Sequence, residues 1–150
     1  MMITEGWCRS AKERAVVFKD KSVFGVAVVE SHLRRIAGLN PSLNTVTVTL
    51  VESALKKAGK ADNAETRGPL HGVPFTVKEN IDCKRLATTR EVPSMVDSIP
   101  VRDEMIVQLM KAAGAISLAT TNVLSIVSGL SPLVMCCEFP RQLCPVEPVR

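Results

Sequence analysis

Apolar positions set the first divisions of the chain. Val29, Leu33 and Ile36 recur at i, i+4 and i+7, the spacing of one helical face, and Gly38 stands where such a helix would stop. In the stretch LNPSLN the pair Asn40-Pro41 disfavours helix and predicts a turn. TVTVTL, residues 45–50, alternates Val46, Val48 and Leu50 against threonines, the pattern of a half-buried strand. ESALKKAGKADNAE then predicts a modest helix weakened by Gly59. A second strand follows in GPLHGVPFTVKENID, residues 68–82, with Val73, Phe75 and Val77 on one face and Thr76 and Lys78 on the other.

The next stretch, ATTREVPSMVDSIPV, is irregular. Asp103 is placed to N-cap EMIVQLMKAAGA, a helix with Ile106, Leu109, Met110 and Ala113 along one side and Gly114 at its end. AISLATTN predicts a short strand. Strand, helix and strand at this spacing give an α/β fold with a mixed or mostly parallel sheet flanked by helices. Residues 1–22 carry little pattern. After Asn122 the composition changes: four of the nine prolines and three of the five cysteines crowd into residues 123–150, without helical or strand periodicity. The expected organisation is a poorly patterned segment over 1–27, a domain over 28–124 and an aberrant tail over 125–150.

An apolar content of 46% and a charged content of 23% fit a soluble globular domain. Aromatic residues make up 3%, with no tyrosine, which argues against a base-stacking surface for single-stranded nucleic acid. The net charge of +4 is scattered, with pairs such as Arg34-Arg35 and Lys56-Lys57, and predicts solvated faces and no nucleic-acid partner. Cys8, Cys83, Cys136, Cys137 and Cys144 are odd in number, irregular in spacing and far from His32 and His71, so neither a disulfide framework nor a zinc site is expected. No signal-peptide pattern opens the chain, and no apolar run reaches the roughly 20 residues that cross a bilayer. The expectation is a cytoplasmic protein with no membrane partner.

GPLHGVPFTVKENID resembles the segment around the catalytic lysine of the amidase signature family. MIVQLMKAAGAISLATTN resembles the helix and strand that follow in that family, and HLRRIAGLNPSLNTVT resembles its N-terminal helix and the loop into its first strand. The resemblance covers roughly residues 28–122, in the family's order. It implies a partial amidase-signature fold and hydrolysis of a small-molecule amide by a Ser, cis-Ser, Lys triad without metal or organic cofactor. It gives Lys78 the part of the triad lysine. The chemistry is sound: lysine accepts a proton only when neutral, and burial disfavours the ammonium. A strand end inside a closed sheet is where such burial is expected, with the surrounding Gly and Pro residues fixing the backbone.

The family's two serines lie downstream, in a Gly/Ser-rich segment of the GGSSGG kind whose backbone also supplies the oxyanion hole. This chain has no such segment. Ser125, Ser128 and Ser131 lack the glycine pairs of that segment, follow Lys78 too closely, and form no GxSxG elbow. Ala119-Thr120 replace the family's Gly-Lys, and DCKRLATTREVPS keeps two threonines without the usual glycines. His71 is expected as a turn residue, Cys83 as a buried or incidental thiol, and Glu79 and Asp82 as members of a polar loop. The chain is expected to be an N-terminal piece of an amidase, marginally folded and inactive alone, with a tail read out of frame from about Leu124. The alternatives are a piece of the amidotransferase component that supplies ammonia to misacylated tRNA, or a non-enzymatic binding module. A working module folds alone and stays soluble, whereas half a sheet leaves an open, aggregating edge.

Overall fold

A computed structural model describes residues 10–19, 24–65, 67–90 and 92–122. In chain order the elements are α1 (Ala11–Lys19), α2 (Gly25–Leu43), β1 (Val46–Thr49), α3 (Val51–Asp62), β2 (Pro74–Lys78), a 3-10 turn at Pro93–Met95, α4 (Met105–Ala112) and β3 (Ile116–Thr121). β3 lies in the centre of a three-stranded sheet of order β1-β3-β2. Its residues from Ile116 to Thr120 are all buried, as expected of a strand with neighbours on both edges.

The sheet is mixed. β2 runs parallel to β3, with Lys78 paired to Thr121, because α4 carries the chain back between them. β1 runs antiparallel to β3. Val29 of α2 and Ala54 and Ala58 of α3 pack with Ile116, Leu118 and Ala119 to form the largest core, rimmed by Leu33 and Ile36. The stripe predicted from Val29, Leu33 and Ile36 is thus the inward face of α2. The small side chains of Ala54 and Ala58, one turn apart, allow α3 to lie close to the strand.

Three local expectations are corrected. First, α2 does not stop at Gly38; it runs through Pro41 to Leu43. Pro41 sits in the last turn, where it removes the helical bond to the Ala37 carbonyl, a cost the helix end carries. The real stop is Asn44, which is left-handed at φ 48 and donates its backbone N–H to the Asn40 carbonyl at 2.7 Å. The Asn40 side chain then fastens the helix end to β1. It accepts from the backbone N–H groups of Thr45 (3.0 Å) and Val46 (2.8 Å) and donates to the Val46 carbonyl (2.9 Å).

Second, α1 forms where no periodicity predicts it. Ser10 and Glu13 make a reciprocal cap: the Ser10 N–H and Oγ donate to Glu13 Oε2 at 2.7 and 2.8 Å, and the Glu13 N–H donates back to Ser10 Oγ at 3.3 Å. Phe18 docks the helix against Val28 and Val73.

Third, the N-cap of α4 is Glu104, not Asp103. The Asp103 carboxylate instead accepts from the Lys84 N–H at 2.9 Å and from Lys111 Nζ at 2.6 Å. The buried residue of α4 is Val107, which meets Val77 and Cys83; Ile106 and Leu109, expected to face inward, are 53% and 58% exposed. Among the described residues no helix is long and apolar enough to cross a membrane.

Candidate active site

β2 opens on Pro74, which lacks an N–H and so suits the first residue of an edge strand. Its alternation holds: Val77 is buried, while Thr76 and Lys78 are exposed. The turn before it is zipped onto the end of α4. The Leu70 N–H donates to the Ala113 carbonyl at 3.0 Å, the Gly72 N–H to the Gly114 carbonyl at 3.0 Å, and the Ile116 N–H to the Val73 carbonyl at 2.8 Å. Side chains would block this approach. A Cβ on Gly68 would lie 2.4 Å from the Ala113 oxygen, and one on Gly114, at φ 92, would lie 2.9 Å from the His71 Cα. The two most family-like segments of the chain, GPLHG and AAGA, are therefore the two faces of one backbone contact. Beyond it, the parallel pairing and the Glu79 N–H, which donates to the Thr121 carbonyl at 2.8 Å, fix the backbone on both sides of Lys78.

His71 lies in this turn as expected. It is buried, and its Nε2 donates to the Ala61 carbonyl at the end of α3, at 2.9 Å. That role is structural, since it ties the turn to a helix.

The surroundings of Lys78 differ from the expected burial. Its side chain is exposed and, among the described residues, makes no hydrogen bond or ion pair. Lys78 shares one face of β2 with exposed Thr76, opposite Val77, whose face is the one packed against Val107 of α4.

Glu79 is also placed differently. It stands in the turn after β2, but it is buried rather than solvated, at 4% exposure. Its carboxylate accepts from the backbone N–H of Thr89, and from that of Arg90 at 3.0 Å to Oε2 and 3.2 Å to Oε1. Arg90 is left-handed at φ 52. The two threonines retained from the family pattern, Thr88 and Thr89, are both buried here, and the Thr88 N–H donates to the Ser98 carbonyl at 2.9 Å. The carboxylate thus holds a loop against the strand end that carries Lys78, and it is not a member of a carboxylate pair. The sequence signal was available in the spacing of Glu79 from the Thr-Thr pair, but a loop-closing carboxylate has no spacing rule. Asp82 contributes its carbonyl, which accepts the Glu104 N–H at 2.8 Å and sets the start of α4.

Cys83 is a free, buried thiol packed against Val77 and Val107. Burial pushes its pKa up, and the carboxylates of Asp103 and Asp82 add to this against Lys111 and Lys57. Cys83 is thus the buried thiol that was one of the two expectations. Burial, and then the neighbouring Lys111, hold the Lys57 amine below its ordinary value. Burial opposes ionisation of Asp103, but the hydrogen bonds from Lys111 and the Lys84 N–H outweigh it and keep the carboxyl below its usual range. Thr120 stands where the family has lysine; it is buried, and its Oγ1 shares a hydrogen bond of 2.8 Å with Thr47 Oγ1. Ser125, Ser128 and Ser131 lie outside the described residues, as do Cys8, Cys136, Cys137 and Cys144.

Comparison with known proteins gives a single answer. The Amidase family model matches residues 27–137, which runs past the boundary that composition suggests near Leu124. The chain is 39% identical over 120 residues to an indoleacetamide hydrolase of Bradyrhizobium diazoefficiens, covering 77% of this chain and 23% of that protein. It is 35% identical over 109 residues to a component of the glutamyl-tRNA(Gln) amidotransferase of Lawsonia intracellularis, covering 71% of this chain and 22% of that protein. Among solved structures, a fatty acid amide hydrolase superposes with a TM-score of 0.73 at 26% identity, covering 79% of this chain and 21% of the other. A peptide amidase from Stenotrophomonas maltophilia superposes with a TM-score of 0.68 at 27% identity, covering 77% of this chain and 25% of the other. The chain spans about a quarter of the length of the relatives it matches. With the family match reaching across every element from α2 to β3, and with the GPLHG and AAGA segments locked together beside Lys78, this chain belongs to the amidase signature family.

Proposed function

We propose that this chain supplies the lysine-bearing part of an enzyme that hydrolyses carbon-nitrogen bonds of small amides, with Lys78 as the base of a Ser, cis-Ser, Lys triad. One observation carries the reading: an exposed lysine amine with no partner among the described residues stands at the end of a strand whose backbone is fixed on both sides by the GPLHG–AAGA contact and the Thr121 pairing. A base that acts on a second group has to be rigidly based and free at its tip. In the proposed reaction a nucleophilic serine Oγ attacks the amide carbonyl while its proton passes through the bridging serine to neutral Lys78. Collapse of the tetrahedral adduct returns that proton to the leaving amine. Water then attacks the acyl-serine by the same relay and releases the carboxylic acid. The serines, the oxyanion hole and the cover that dehydrates Lys78 come from outside the described residues. The sequence holds no Gly/Ser-rich segment of the GGSSGG kind, so on this reading the chain alone is inactive, and a cytoplasmic, cofactor-free setting goes with it.

Grafting tests it. Residues 28–122 replace the matched segment of the Bradyrhizobium indoleacetamide hydrolase, and hydrolysis of indole-3-acetamide is followed. The graft is expected to turn over, and Lys78→Ala is expected to lower kcat by about 10²–10⁴-fold. Turnover indifferent to Lys78→Ala would overturn the assignment. Similarity to components of glutamyl-tRNA(Gln) amidotransferases supports a second reading, in which the same lysine serves in an amidotransferase. A graft active only within such an amidotransferase would favour it.

A further inference from the structure

α1 takes no part in the chemistry of Lys78, and it lies ahead of the residues that match the family, which begin at 27. Two of its side chains turn inward. Arg14 and Phe18 are one helical turn apart and are 8% and 5% exposed, whereas Lys12, Glu13 and Val16 face out. Phe18 packs with Val28 of α2 and with Val73, the residue before β2. Its ring lies 3.2 Å from where a Cβ on Gly72 would stand, so α1 rests on the turn whose Gly72 N–H donates to the Gly114 carbonyl. The Arg67 guanidinium donates to the Phe18 carbonyl in the last turn of α1.

The polar half of this seat admits one protonation state. His32 Nδ1 lies 2.8 Å from the Val28 carbonyl, which can only accept, so Nδ1 carries a proton. The Arg14 guanidinium, which can only donate, lies 2.5 Å from Nε2, so Nε2 must offer its lone pair. A second proton on the ring would set two donors and two positive charges against each other at that distance. Arg14 of α1 is the charged group that acts on His32, and its own helix offers it the Val28 carbonyl. Of the other charged groups at the seat, Arg67 stays ionised, and the Glu13 carboxylate is taken by Ser10 on the exposed side. The main core of the sheet, from Val29 and Ala54 to Leu118 and Ala119, does not include Phe18.

We propose that α1 is an acid-released strap over the turn leading into β2: it is seated while His32 is neutral and leaves when His32 takes up a proton, with the sheet still folded. The sign follows from linkage. Burial, and then Arg14, hold the seated ring below 6.5 against the Val28 bond, whereas a ring freed of α1 returns toward 6.5. The released state therefore binds the proton first. Seating is full above 6.5, weakens about tenfold per pH unit between 6.5 and the seated value, and levels off below it.

Amide hydrogen exchange on the whole chain tests this, read as protection factors from about pH 7.5 to about 5.0, above the range where ordinary carboxylates titrate. Protection from Arg14 to Phe18 is expected to fall with that slope, while Leu118 and Ala119 of β3 keep theirs. His32→Asn is expected to hold α1 protected throughout, because its amide nitrogen donates to Val28 and its oxygen accepts from Arg14 without titrating. Loss of protection in α1 and β3 together would overturn the strap. So would α1 amides that are unprotected at about pH 7.5 or indifferent to pH, or an equal fall in His32→Asn. The reciprocal measurement is the His32 titration followed by NMR. Phe18→Ala removes the apolar half of the seat and is expected to raise the His32 midpoint to about 6.5, with β3 still protected. An unmoved midpoint, or a Phe18→Ala chain whose β3 amides have also lost protection, would overturn the inference.

Discussion

Glu79→Ala probes the loop that borders the Lys78 end of the sheet. Glu79 is 4% exposed, and its carboxylate receives two consecutive backbone N–H groups. Thr89 is itself buried, at 3% exposure, so its N–H has no water to turn to when the carboxylate is removed. Such an orphaned donor costs about 1–3 kcal/mol. The Arg90 N–H is only part-buried and recovers some of its loss from water. The sum for Glu79→Ala is about 2–4 kcal/mol, a large fraction of the roughly 5–15 kcal/mol that holds a domain together. At about 4–8 °C per kcal/mol the melting temperature falls by about 8–32 °C. Glu79→Gln keeps the shape and one acceptor but turns an amide N–H₂ toward one of the two donors, so its cost is about half. Urea titration followed by far-UV circular dichroism measures both. In amide spectra the Thr89 and Arg90 resonances move furthest. A Glu79→Ala midpoint equal to that of the unmodified chain, or a Gln variant as damaged as the Ala variant, would show that the clasp does not hold the loop.

His32 donates from Nδ1 to the Val28 carbonyl at 2.8 Å and accepts at Nε2 from the Arg14 guanidinium at 2.5 Å, an arrangement only the neutral ring satisfies. Burial, with Arg14 adding to it against the Val28 bond, holds its pKa below the ordinary 6.5. The unfolded chain therefore takes up the proton first; stability is full above 6.5, falls as pH drops through the folded value, and the fall flattens in His32→Asn, as urea midpoints across that range will show. Gly68→Ala forces a Cβ to within 2.4 Å of the Ala113 oxygen and is expected to cost about 1–3 kcal/mol in the same titration. Asn40→Ala removes two hydrogen bonds to Val46 of β1 and one to Thr45 before it, and is expected to cost about 1.5–4 kcal/mol, with loss of amide-exchange protection at Thr45 and Val46.

How much of this was legible depended on whether the determining interaction was periodic. The α2 stripe, the threonine alternation of β1 and the parallel pairing of β2 with β3 follow from side-chain period and connection, and all stand. The end of α2 does not: Gly38 and Pro41 both signal a stop, and a side-chain clasp from Asn40 together with a left-handed Asn44 overrides them. α1 shows no apolar stripe, yet the Ser10-Glu13 box was readable as a helix start. For α4, spacing chose Ile106, Leu109, Met110 and Ala113 as the inward side; the fold turns Val107 in, because Val77 and Cys83 are what lie opposite. Periodicity gives the pitch of a helix, while its rotation about its own axis is set by partners distant in sequence.

The same distinction accounts for the site. Lys78 was singled out through the family resemblance of the segment around it, and the reason for that segment's glycines and prolines appears only in three dimensions. Gly68 and Gly114 are 46 positions apart in the numbering, and each is glycine because the other segment's backbone lies where its Cβ would be. A contact of this kind leaves no period and no charge pattern; it leaves two short strings, GPLHG and AAGA, that make sense only together. The exposure of Lys78 was illegible for the opposite reason. Whether the face of a strand is covered depends on what packs against it from elsewhere, and that is not written in the strand itself. The residues that fix where the backbone of Lys78 stands are thus contained in the described chain.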